Sequence, residues 1–140
     1  MSDARPSFGQ DLAWRLEALA YDLVTAPARI LPIDWVSDFG SWLLRRLGPM
    51  TSAHWVVLQN LRIAFPDLPA EEIDALADAQ WSQTGRTFAE FPIIDRIVRA
   101  RDRIRLEGGE RLAEIARTGE AGGFVSGHLS NWEIMPAVIA

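Results

Sequence analysis

Proline and glycine divide this 140-residue chain into short pieces. Pro27 and Pro32, the Gly48-Pro49 pair, Pro66 with Pro69, and Pro92 separate stretches whose apolar residues recur at helical spacing. Proline lacks the amide proton that an interior helical turn needs and clashes with the carbonyl one turn back, so each break ends one helix. Residues 1–9 read as a loose leader. Over residues 11–24, Leu12, Leu16, Leu19, Ala20 and Leu23 share one face. Asp34 is placed to cap a second helix, with Trp35, Val36, Phe39, Trp42, Leu43 and Leu47 as its apolar stripe and Gly48-Pro49 as its stop. A third helix is expected over about 52–64. Pro69 suits the first turn of a fourth, where Glu71 and Glu72 complement the positive helix end. Ile73, Leu76, Gln80, Thr84, Phe88 and Phe91 share one side of that helix, and Pro92 ends it.

After Arg96 the texture changes. Residues 104–107 alternate as a short strand does, and Gly108-Gly109 turns the chain. Residues 110–117 read as a helix closed by Gly119, residues 122–127 as a second short buried strand, and a further helix starts at Ser130 or Asn131. Strand, helix, strand, helix is the opening of a parallel sheet with right-handed crossovers. The expected class is therefore α/β: N-terminal helices followed by the start of a mostly parallel sheet. Two parallel strands do not make a stable sheet alone, so the expected domain is incomplete.

Composition excludes several classes. There is no cysteine, hence no disulfide or thiolate metal site. The net charge of −5 argues against nucleic acid as a general partner. All basic residues are arginine, and five of them (Arg96, Arg99, Arg101, Arg103 and Arg105) face the single acid Asp102 within ten residues. The plain reading of that cluster is a solvated basic edge. The functional reading is a dock for phosphate headgroups or an acidic carrier protein. No run approaches the ~18–20 apolar residues that span a bilayer, and the N-terminus lacks the pattern of a secretory signal. The chain reads as cytoplasmic, at most lying on a membrane.

One segment carries the residue types of a reaction: Ser126-Gly127-His128-Leu129-Ser130-Asn131-Trp132-Glu133. His128 follows a predicted parallel strand, where α/β folds place reacting groups. Neutral imidazole is a suitable base near pH 7, and a carboxylate five residues on could fix its tautomer and stabilise the imidazolium. Such a pair would activate a hydroxyl supplied by the substrate. The competing reading is a capping box, in which Ser130 and Glu133 satisfy a helix start and His128 is an ordinary loop residue. Trp132 reads as core, and His54, on an amphipathic helix without a nearby carboxylate, as a surface or core residue. One histidine and one glutamate are too few for a zinc site, and no cofactor is indicated.

The string His128-Leu129-Ser130-Asn131-Trp132-Glu133 resembles the His-x4-Asp/Glu motif of glycerolipid-type acyltransferases. More narrowly, it is similar to the His-x-Gly-Asn-Trp-Glu form of the bacterial lipid A biosynthesis lauroyl/myristoyl acyltransferases, with Ser130 where that family often has glycine. Upstream, residues 60–66 (Asn60-Leu61-Arg62-Ile63-Ala64-Phe65-Pro66), then Thr84-Gly85-Arg86, Glu90-Phe91 and Leu106-Glu107-Gly108, follow the same family's order. The resemblance covers roughly residues 35–140. It implies a truncated sheet of the glycerolipid-acyltransferase type, with residues 34–140 as the N-terminal part of the acyltransferase domain. Residues 1–33 would form a leader and an amphipathic helix, either packed or lying in the membrane interface through Trp14, Leu16, Leu19 and Leu23.

The implied reaction moves a fatty acyl chain from acyl carrier protein to a hydroxyl of a lipid A precursor, at the cytoplasmic face of the inner membrane. His128 would be the base and Glu133 its partner, and the arginine cluster would bind substrate. Three alternatives stay open. The first is an acyltransferase for another glycolipid, such as phosphatidylinositol mannoside, fed by acyl-CoA. The second is an inactive product that only binds membrane or carrier protein, and the third is a structural fragment with no site.

Overall fold

The computed structural model describes residues 8–100, 102–123, 125–127 and 129–139, with every side chain among them except those of Phe8 and Val24. The helices are α1 (Phe8–Thr25), α2 (Ile33–Leu47), α3 (Ser52–Ala64), α4 (Ala70–Glu90), α5 (Ile94–Arg99), α6 (Gly109–Thr118) and α7 (Ile134–Ile139). Short 3-10 turns at Pro27–Arg29, Gly48–Met50 and Phe91–Ile93 carry the chain round its proline breaks. Each of these turns has its proline in the first two positions, where the missing amide proton has no intrahelical partner to lose.

The centre of the fold is the antiparallel pair α2 and α4. Along it, Ser37 meets Glu90, Gly40 meets Gly85, Ser41 meets Ser82, and Gly48 meets the Trp81 ring. A Cβ on Gly40 would overlap the Gly85 carbonyl, and one on Gly85 would overlap the Gly40 carbonyl. The helix spacing is therefore set by two bare backbones in contact. Lower down the seam, the Trp81 indole N–H donates to Nδ1 of His54 at 3.0 Å and ties α3 to α4. His54 is thus a partly buried structural acceptor, in line with its reading from sequence. Ion pairs Arg45–Asp78 and Arg86–Asp38 flank the seam. Val36, Ile93 and Ile97 form a core cluster, against which Ala28, Ile33, Ala89 and Ile134 pack.

The buried face of α2 takes only Val36 from its apolar stripe. Val36, Ser37, Gly40 and Ser41 are buried, whereas Trp35 (67 %), Phe39 (60 %) and Trp42 (52 %) remain exposed. On α4 the buried series is Ile73, Ala77, Trp81 and Gly85, one residue per turn, while Phe88 and Phe91 face outward. Close backbone approach decides the face where Gly40 meets Gly85, since helices can lie this near only through small side chains, while Ile73 and Trp81 fill the wider end of the seam. Asp34 caps nothing. Pro32 occupies the cap position, and the Asp34 carboxylate instead receives two hydrogen bonds from Arg103, each 2.7 Å. Those bonds hold the Asp34 carboxyl below its ordinary range.

The expected start of a parallel sheet is absent: no strand forms among the described residues. Residues 104–106 and the described part of 120–127 run without regular structure, and every described residue of 120–127 is exposed, Val125 to 99 %. Alternation of residue types can favour extended backbone, but a strand exists only through a neighbour that takes its hydrogen bonds and a layer that covers its face. Neither is supplied here. The helix between the two segments does form, and Gly119 closes it with a left-handed backbone (φ 71°). The final helix begins at Ile134, later than Ser130 or Asn131. Among the described residues no helix is long and apolar enough to cross a membrane.

Gly85→Ala is expected to destabilise the fold by about 1–2 kcal/mol in chemical denaturation, the upper end of the usual cost of overpacking less about 1 kcal/mol for the better helix propensity of alanine. Gly9→Ala, in open space on α1, should be neutral or slightly stabilising. Equal behaviour of the two variants would disprove the backbone contact.

Candidate active site

Helix α4 forms a platform for the motif segment. Gln83 and Glu90 lie seven residues apart, two helical turns, and so share a face. Gln83 Oε1 accepts a hydrogen bond from the Ser130 hydroxyl at 3.1 Å. Glu90 accepts two: Oε1 from the Ser37 hydroxyl at 2.5 Å, and Oε2 from the Asn131 side-chain amide at 2.8 Å. One carboxylate thus joins α2, α4 and the motif. Beyond it, Ile134 packs against the Val36–Ile93–Ile97 cluster, so the start of α7 is fixed to the same core.

Ser130 has a left-handed backbone, with φ 52°. This conformation costs most residues about 1–2 kcal/mol because Cβ crowds the next carbonyl, and it costs glycine little. The serine thus stands at a position whose geometry suits glycine. Successive tight turns follow: the Trp132 amide donates to the Ser130 carbonyl at 3.1 Å, and the Ile134 amide to the Asn131 carbonyl at 3.3 Å. No capping box forms, since the Ser130 hydroxyl is spent on Gln83 and α7 starts only after Glu133.

The motif segment borders an open cleft of about 870 Å³. Leu106, Leu112, Ile115, Met135 and Val138 give it apolar walls, and Arg105, Arg111, Ser130 and Asn131 supply polar groups. Its size falls in the range of small-molecule sites. Trp132, expected in the core, is 37 % exposed and lines the cleft. Glu133 is half-buried beside the cleft without forming its wall. His128 lies outside the described residues.

The arginine cluster divides by environment. Arg96 donates to the backbone carbonyls of Ala28 and Leu31, at 2.6 and 3.0 Å, and ties α5 to the turn after α1. Arg103 holds Asp34. Arg99 pairs with Asp95 and Arg105 with Glu107, both on the surface. Arg105 is the member that also borders the cleft, and Arg101 lies outside the described residues. The sequence places Glu90 in the family's order without a role and gives none to Gln83 or Arg111. The available signal for the first two was a pair of polar residues two turns apart on a helix that also bears the buried Gly85.

Given the left-handed backbone at this position, Ser130→Gly should change stability by less than about 1 kcal/mol. Ser130→Val, β-branched at a left-handed position, should lose roughly 2 kcal/mol in the same denaturation experiment. Equal losses would show that the position is not left-handed.

Residues 14–140 match the bacterial lipid A biosynthesis acyltransferase family. No curated protein and no solved structure matches the chain. The matched span includes the Gly40–Gly85 seam, the Glu90 bridge and the motif segment together. The chain therefore belongs to the bacterial lipid A biosynthesis acyltransferase family.

Proposed function

We propose that this protein transfers a fatty acyl chain from acyl carrier protein to a hydroxyl of a lipid A precursor, with His128 as general base and Glu133 as the group that orients it. The observation that carries this reading is that residues 129–132 of the motif line a cleft with apolar walls and two arginines, in a chain of this family. In the reaction His128 takes the proton of the acceptor hydroxyl. The oxygen adds to the thioester carbonyl, and collapse of the tetrahedral intermediate breaks the carbon–sulfur bond. The proton passes from the imidazolium to the departing thiolate, leaving an ester and a free carrier thiol. The apolar walls suit the acyl chain. Arg105 and Arg111 suit the phosphates of a headgroup or the acidic surface of the carrier.

The site of action in this reading is the cytoplasmic face of the inner membrane. Supporting it are Trp14, Leu16, Leu19 and Leu23 of α1 and Trp35, Phe39 and Trp42 of α2, all more than half exposed. Aromatic and aliphatic side chains displayed in such number suit the headgroup boundary of a bilayer.

Mass spectrometry of a lipid A precursor incubated with acyl-carrier protein and the full-length protein should show one added acyl chain. His128→Ala should lower the rate by about 100-fold or more, the usual contribution of a positioned base, with Glu133→Ala less severe. Wild type and His128→Ala acting alike would remove His128 from the mechanism. Transfer only from acyl-CoA to a phosphatidylinositol mannoside would replace both donor and acceptor.

A further inference from the structure

Asn131 is held in one orientation by an unusual balance of hydrogen bonds. Its Nδ2 donates to Glu90, so Oδ1 must point the other way, where it is buried and has no partner among the described residues. Glu90 cannot yield that bond cheaply, because its other oxygen is engaged by Ser37 of α2. A buried acceptor left single carries a desolvation cost that a purely structural contact has no reason to keep. Here the group borders the cleft and lies two residues from Glu133 and three from His128. The arrangement spends the amide donor on fixing the segment and keeps the amide oxygen facing away from Glu90.

We infer that Glu90 is a positioning residue for the transfer site, acting through Asn131 to hold the motif segment and the orientation of its amide. The effect on turnover rests on the proposed reaction; the bridge itself does not. With Ser37 still donating to the carboxamide carbonyl, Glu90→Gln keeps the shape of the side chain and presents an NH2 toward Asn131. The Asn131 amide must then turn over, accept from Gln through Oδ1, and leave an N–H where the oxygen had been. In the double variant Glu90→Gln with Asn131→Asp, the Gln NH2 donates to one Asp oxygen, Ser37 still donates to the Gln carbonyl, and the second Asp oxygen restores the outward acceptor. The exchange keeps the pattern while reversing who donates.

Two measurements test this. The chain contains only two asparagines, Asn60 and Asn131, so 15N-asparagine labelling reads the bridge directly. Glu90→Gln should move the Asn131 side-chain amide signals and the Asn131 backbone amide while leaving those of Asn60 in place. Unmoved Asn131 signals overturn the inference whether or not transfer is observed. In the transfer assay, Glu90→Gln should lower kcat about tenfold or more with KM within about twofold, since sub-ångström misplacement of reacting groups acts on turnover. Asn131→Asp alone, with two carboxylates facing, should fall at least as far. The double variant should return to within about threefold of wild type. A double variant no better than Glu90→Gln, or Glu90→Gln within twofold of wild type, overturns the inference while the transfer reaction stands. A wild type that transfers nothing refutes the reaction instead, and the amide signals still decide the bridge.

Discussion

Where α2 crosses α4, the backbones of Gly40 and Gly85 touch with no side chain between them, and the remaining contacts of the helical layer depend on that spacing. Each glycine inside a helix costs about 1 kcal/mol relative to alanine, so the pair is retained against local preference. The closeness brings Ser41 to Ser82, Ser37 to Glu90, and Gly48 under the Trp81 ring. A wider crossing would break these short bonds together, because hydroxyl side chains have no reach to spare.

The same spacing extends to the chemistry. Glu90 can receive Ser37 from α2 and Asn131 from the motif at once only while α2 and α4 keep their distance. Ile134 adds an apolar anchor by packing on the core cluster that Val36 and Ile93 share. The motif segment is therefore fixed by a helix seam rather than by a sheet, and its turns are stabilised by contact with the face of α4 that carries Gln83 and Glu90. The proposed base and its orienting carboxylate would need placement of this kind, since a general base works only within hydrogen-bond reach of its proton.

Helix positions were legible in the sequence wherever proline and glycine punctuate it. The third helix falls on its expected span, the fourth ends at its proline break, and Gly119 closes the helix before the motif. Helix faces were not legible. Apolar spacing identifies a stripe but not what covers it, and in α2 the glycine and serines won the interior over Trp35, Phe39 and Trp42 because only they allow the close crossing. The two expected strands failed for a related reason: residues 104–107 and 122–127 have the composition of strands, yet pairing is a tertiary property that local pattern does not contain. The motif was legible as a string, whereas its support was not. Glu90 lies 41 residues from Asn131, and nothing local to either signals the bond. Ser130 was legible as a helix cap, which does not form, and as a departure from the family's glycine, to which the left-handed backbone gives physical meaning.

Coupling between the seam and the motif is most directly tested by hydrogen exchange. Wild type and Gly85→Ala would be compared by mass spectrometry under conditions where their circular dichroism spectra coincide. Peptides covering residues 129–137 should exchange faster in the variant, by about tenfold or more, along with those of α2 and α4. Unchanged exchange in the motif peptides, with α2 and α4 loosened, would contradict the dependence of the site on the helix crossing.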